Sequence, residues 1–158
     1  MDADTLAALA RLIRAQRAAA LGTVRDGLPF VSMVVYAFEP DFSAFWLHLS
    51  RLALHTQAIL ADPRIGLMIA EADDGAKDAQ TLARVSIQSE AIVLTQTPPE
   101  YSAAKMLYLA RFPEAQTMFA LGDFDLYRIE PRSARFVAGF ARAYNLTAGN
   151  FREAAKAE

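Results

Sequence analysis

Apolar positions along the chain follow helical spacing first and strand spacing afterwards. Leu6, Leu9 and Ile13 fall on one face of an Ala-rich stretch, which predicts an N-terminal helix within residues 1–20. Arg11, Arg14 and Arg17 share another face and read as a solvated stripe. The period then changes. Residues 19–24 are short and apolar, Arg25-Asp26-Gly27 signals a tight turn, and residues 29–38 are β-branched and aromatic, so a hairpin is predicted. Residues 44–49 form a third strand, and Ser50 opens a helix that runs to about Ala61, before Asp62-Pro63. Further strands are predicted over 64–71, 84–95, 124–130 and 135–141. Thr97-Pro98-Pro99-Glu100 has the capping-box pattern of a helix start, with Thr97 as cap. Residues 145–158 read as a polar C-terminal tail or a frayed helix. Short strands with hairpin-length connections and few inserted helices point to an antiparallel barrel, mainly β in an α+β setting.

Composition narrows the chemistry. The 158 residues suit a single domain spanning 1–158, with no repeat or linker. At 54% hydrophobic and 22% charged, the chain is globular and not disordered. A net charge of −2 gives no basic field for nucleic acid. No cysteine is present, which removes disulfides, thiolate catalysis, zinc ribbons and iron–sulfur clusters. His48 and His55 are the only histidines, and no metal site is read from them. No apolar run reaches the ~18 residues of a membrane span, and the N-terminus lacks a signal-peptide core. A cytoplasmic protein without membrane contact is expected.

The most informative segment is Leu47-His48-Leu49-Ser50-Arg51-Leu52-Ala53-Leu54-His55-Thr56. A strand running into a Ser50-capped helix presents unpaired N–H groups and a partial positive charge to an anion. Ser50 and Thr56 add hydroxyls, and Arg51 and His55 add donors, which together make a phosphate cradle. The same residues also fit an ordinary Ser-capped helix whose arginine faces water. His48, between Leu47 and Leu49, reads as a core or interface histidine. Tyr101, Lys105 and Tyr108 share one helix face and read as a packed surface face.

In order along the chain, several short pieces resemble a known family. They are Ala20-Leu21-Gly22-Thr23-Val24 with Gly27-x-Pro29, the 47–56 segment, Asp62-Pro63-Arg64-Ile65, Arg84-Val85-Ser86-Ile87, Arg111-Phe112-Pro113, Gly122-Asp123-Phe124 and Gly139-Phe140. Across residues 12–144 the chain resembles the FMN-binding split-barrel proteins related to pyridoxamine 5′-phosphate oxidase, and within them the haem-utilisation branch. The resemblance implies a homodimer of six-stranded antiparallel split β-barrels of Greek-key topology with flanking helices, and FMN at the interface. It implies that Ser50, Arg51, His55 and Thr56 hold the FMN phosphate. It implies that Ser32, Met33, Val34 and Val35 pass along the flavin, that Arg84 lies at the isoalloxazine edge, and that Phe124 is the aromatic contributed by the partner subunit.

Two departures shape the functional expectation. The family's vitamin B6 oxidases carry a basic Arg-Leu-His-Asp-Arg-like segment near the C-terminus. The corresponding region here, residues 139–146, offers only Arg142, which argues against pyridoxamine phosphate oxidation. No histidine follows His55, so the C-terminal axial ligand of some haem-utilisation members does not transfer. The main expectation is an FMN-dependent oxidoreductase passing electrons to a small acceptor, with no side chain assigned as catalytic. Haem binding or haem breakdown is the alternative, and a non-enzymatic FMN-binding module is the third.

Overall fold

The computed structural model describes residues 1–157. Helix α1 covers Ala3–Ala15 and is capped by Asp2, whose Oδ1 accepts from Thr5 N–H at 2.7 Å. It stops five residues short of the sequence expectation. Ala18, Ala19 and Ala20 favour helix intrinsically, yet they open strand β1 (Ala18–Arg25), which is paired on both sides. Sheet pairing outweighs a propensity that amounts to less than about 1 kcal/mol per residue.

The β1–β2 hairpin is as expected, with β2 at Leu28–Val35. Its turn needs left-handed backbone at Asp26 (φ 52) and Gly27 (φ 76), which suits the Asp-Gly pair. Strand β3 is the two-residue Ala37–Phe38, and β4 covers Phe45–Ser50. Helix α2 spans Leu54–Ala61, and β5 and β6 follow at Arg64–Ala70 and Arg84–Val93. Helix α3 is Glu100–Arg111 and α4 is Gln116–Phe119. Pro99 is the N-cap of α3 and makes no side-chain cap bond, so Thr97 stands outside the helix and the expected capping box is not formed. Strands β7 (Phe124–Ile129), β8 (Ser133–Val137) and β9 (Ala143–Leu146) precede helix α5 (Ala148–Ala155).

All nine strands belong to one antiparallel, curled sheet in the order β2-β1-β5-β6-β7-β4-β3, with β8 and β9 beside β6. The count exceeds the six strands that the resemblance implies, and it includes the short β3, β8 and β9 of two, five and four residues. Strand β6 organises the sheet. Residues 84–88 pair with β8 and residues 91–93 with β7, while β5 lies along the other edge. Two sequence-distant halves therefore curl around one strand. Alternate residues of β1, β5 and β6 point inward, and Leu21, Leu67, Ile69, Val85 and Ile87 are essentially fully buried there. A second apolar cluster joins Trp46 and Leu126 to Ala104, Tyr108 and Phe112 of α3 and its end.

The C-terminal region is not a tail. Strand β9 pairs with β8, and α5 buries Phe151 and Ala154 completely. The Phe151 ring meets Phe45 edge-on, with centroids 6.1 Å apart. Arg14 of α1 donates to the carbonyls of Ala155 at 2.8 Å and Ala157 at 3.0 Å, satisfying the end of α5. Its sequence pattern is polar because only two of its eight positions turn inward. Among the described residues no helix is long and apolar enough to cross a membrane.

Candidate functional site

Antiparallel pairing of β4 with β7 sets Ser50 opposite Phe124 and Leu49 opposite Asp125. Ser50 remains in the sheet, so it is not the helix cap that the sequence suggested. Three residues of turn intervene, and the N-cap of α2 is Ala53, which offers no side-chain acceptor. The Ser50 hydroxyl instead donates to Asp123 Oδ2 at 2.5 Å and accepts from Leu52 N–H at 3.1 Å. Arg51 pairs with Asp125 Oδ2 at 2.7 Å and donates to the Gly122 carbonyl. Its backbone N–H donates to Asp123 O at 2.7 Å. Two of the four donors expected to cradle a phosphate, Ser50 and Arg51, are therefore engaged by the chain's own acceptors. Asp125 neutralises the Arg51 guanidinium, and Asp123 places a second carboxylate on Ser50, so the turn carries net negative charge.

His55 lies one position into α2 and leans on β2. Its Nδ1 is 3.2 Å from Ser32 Oγ. Burial pushes the imidazole pKa below its ordinary value, so the ring is neutral at pH 7. Thr56 is fully buried and its hydroxyl has no partner. The four β2 residues divide by strand alternation. Val34 faces the core, and Ser32 shares its side of the strand, where it meets α2. Met33 and Val35 lie on the opposite, exposed face. That outer face is lined by small residues, Ala18 and Ala20 of β1, with Met33 and Met68 over them, and encloses a shallow groove of about 460 Å³. Arg84 begins β6 in register with Ala70 and Val137 at one end of this face. Its guanidinium donates to the carbonyls of Gln80 (3.1 Å) and Leu82 (3.0 Å).

Phe124 packs within its own chain, its ring 5.0 Å from that of His48. His48 is stacked on Phe119 with centroids 3.7 Å apart and lies edge-on to Tyr108. Only 8% of the residue is exposed, and Nε2 is buried without a partner. Burial drives its pKa down to about 4, although the Asp125 charge opposes the shift. His48 is thus a core histidine.

The structure brings the predicted residues together in three places, Ser50 with Arg51, His55 with Ser32, and Met33 with Val35 on the outer face of β2, while Arg84 stands three strands away on β6. Sequence reasoning missed Asp123 and Asp125, which control the first of these. Both acids stand in the chain next to Phe124, but their position opposite Ser50 depends on a pairing between strands more than 70 residues apart. The 32–55 contact likewise has no local signature.

Comparison with known proteins adds a consistent result. The pyridoxamine 5′-phosphate oxidase family model matches residues 5–138. The non-canonical heme oxygenase HOZ of Arabidopsis thaliana chloroplasts is 35% identical over 126 residues, which is 80% of this chain and 36% of that protein. Heme oxygenase HutZ of Vibrio cholerae is 26% identical over 124 residues, covering 77% of this chain and 69% of that one. The solved structure of a heme binding protein from Mycobacterium smegmatis superposes with a TM-score of 0.81 at 24% identity, over 94% of this chain and 60% of that one. This chain thus spans little more than a third of the plant relative's length. A curled antiparallel sheet of this topology, matched along most of its length, places the chain in the pyridoxamine 5′-phosphate oxidase family of split-barrel proteins, beside the haem-utilisation branch.

Proposed function

We propose that this chain is a haem-binding member of the family and that its activity class is haem breakdown. The observation that carries the reading is the closed turn at Ser50 and Arg51. Two of the expected phosphate donors, Ser50 and Arg51, are held by Asp123 and Asp125, while the relatives named for haem chemistry match most of the chain. Residues able to receive haem are present. His55 offers an imidazole at the edge of the sheet, and Leu52 and Leu54 expose apolar surface beside it in the chain, at 77% and 46%. Bound haem would supply iron redox chemistry. The chain's own residues would supply apolar walls, orient the ring and exclude water, with no side-chain acid or base assigned.

The functional unit in this reading is a homodimer. Leu28, Val31, Met33 and Val35 of β2, with Met68 of β5, form an exposed apolar strip along an edge strand. Surfaces of this kind are interfaces more often than bare faces. FMN-dependent oxidoreduction is the second reading, favoured by the α2 N-terminus, which has no side-chain cap and so offers backbone N–H groups to an anion.

One experiment separates the two. The purified chain is titrated with ferric haem and, in parallel, with FMN, following the Soret band and flavin fluorescence. The haem reading expects a saturable Soret change at one haem per subunit and weak FMN binding. Tight FMN binding with no haem response overturns it. Light scattering tests the dimer, and a monomer at micromolar concentration removes it.

A further inference from the structure

A haem iron takes an axial donor from the protein, drawn from His, Cys, Met or Tyr. Residues 1–158 hold no cysteine and two imidazoles. They differ in reach. His48 Nε2 is sealed beneath Phe119 and lacks any partner, so no external metal meets it without unpacking that ring. His55 Nε2 has no hydrogen-bond partner among the described residues, yet it is not among the buried, orphaned atoms. It is therefore open to solvent.

His55 has one ring nitrogen anchored and the other unengaged. Ligating histidines hold their second nitrogen on an acceptor, which fixes the ring and the tautomer. Ser32 Oγ stands 3.2 Å from Nδ1 and has no other partner among the described residues. Ser32 belongs to β2, the strand at one end of the sheet order. The imidazole therefore rests against the open rim of the sheet, with exposed Leu52 and Leu54 preceding it.

Starting from the haem reading above, we infer that His55 Nε2 is the protein ligand to haem iron, with Ser32 Oγ accepting the Nδ1 proton and fixing the ring. The inference reverses the role that the family resemblance implied for this residue. A neutral His55 that binds phosphate donates from Nε2, so the Ser32 hydroxyl would donate to Nδ1. An iron-binding His55 must offer the Nε2 lone pair, so Nδ1 donates to Ser32. The two roles require opposite tautomers of one hydrogen bond. Met33 and Met68, exposed on the other face of the sheet, are the competing donors.

The test uses the full chain loaded with ferric haem and then reduced. Wild type, His55→Ala, Ser32→Ala and Met33→Leu are compared, each checked for native circular dichroism. The readouts are haem affinity and the iron–histidine stretching band in resonance Raman spectra. Wild type is expected to show the band. His55→Ala loses it and binds haem about tenfold or more weakly, and added imidazole restores the band. Ser32→Ala keeps the band but shifts its frequency. Retention of the wild-type band and affinity in His55→Ala overturns the assignment, as does a ligand signature lost in Met33→Leu instead. Failure of wild type to bind haem at all is a separate result, and it removes the haem reading itself together with this ligand.

Discussion

The two histidines stand seven residues apart and meet opposite fates. His48 sits on β4, enclosed by Phe119, Tyr108 and Phe124, with one ring nitrogen unsatisfied. His55 sits on α2 at the sheet rim, with one nitrogen on Ser32 and the other open. Burial lowers the pKa of both below the ordinary histidine value. Residue type and protonation state therefore do not separate a structural imidazole from a chemical one. What separates them is whether the free nitrogen has somewhere to go. Asp125 links the two regions, because its carboxylate holds Arg51 and also opposes the depression of the His48 pKa.

The largest expected effect comes from His48 and acid. Its folded pKa of about 4 lies below the unfolded value of 6.5. Between those values the unfolded chain takes up a proton that the folded chain refuses, so stability falls as pH drops through that window. The loss attributable to this residue is about 3 kcal/mol in total. Urea unfolding at pH 7 and pH 4.5 measures it. His48→Phe, which keeps a ring against Phe119, is expected to flatten that part of the pH dependence, and an unchanged slope would refute the buried-histidine account.

Next in size is the removal of the acidic pair. Asp123→Ala with Asp125→Ala frees Ser50 and Arg51 and removes two negative charges. FMN should then gain about tenfold over riboflavin, which lacks the phosphate, in fluorescence titrations. Equal change for both flavins would show that the turn is no anion site even when open. Phe119→Ala uncovers His48 directly. Its pKa should climb back by roughly one unit or more toward 6.5 in proton NMR titrations. A value still near 4 would mean that Tyr108 and Phe124 provide the burial.

The smallest effect concerns Ser32. Ser32→Ala breaks one half-exposed hydrogen bond, so unfolding stability should change by less than about 1 kcal/mol. The ring nitrogens of His55 report more sensitively. Nitrogen-15 spectra of wild type should show the Nδ1–H tautomer, and Ser32→Ala should shift the population toward Nε2–H. A wild-type Nε2–H tautomer would favour the phosphate role.

Most of the sheet was legible because its residues alternate. Strands β1, β2, β4, β5, β6 and β7 fall close to where period-two patterning and turn residues put them. The errors have physical causes. Ala18–Ala20 carries a helical preference that two flanking strands override. Ser50 has a helix-cap identity, but it remains paired with Phe124 and gives its hydroxyl to a carboxylate. Phe151 and Ala154 were lost in a polar-looking segment because a short helix with one inward face buries few residues. The 47–56 segment was singled out for its residue types. Its internal wiring was not legible, since Asp123, Asp125 and Ser32 reach it from strands far away in the chain.

The clamp between α1 and α5 bears on how the protein is made. Arg14 and Ala157 are 143 positions apart. At roughly 5–20 residues per second of synthesis, α1 leaves the ribosome on the order of ten seconds before the helix that covers it. Leu9, Ala10 and Ile13, wholly buried in the finished fold, must wait out that interval exposed. Slowed translation between α1 and α5 would lengthen that interval without altering a single residue.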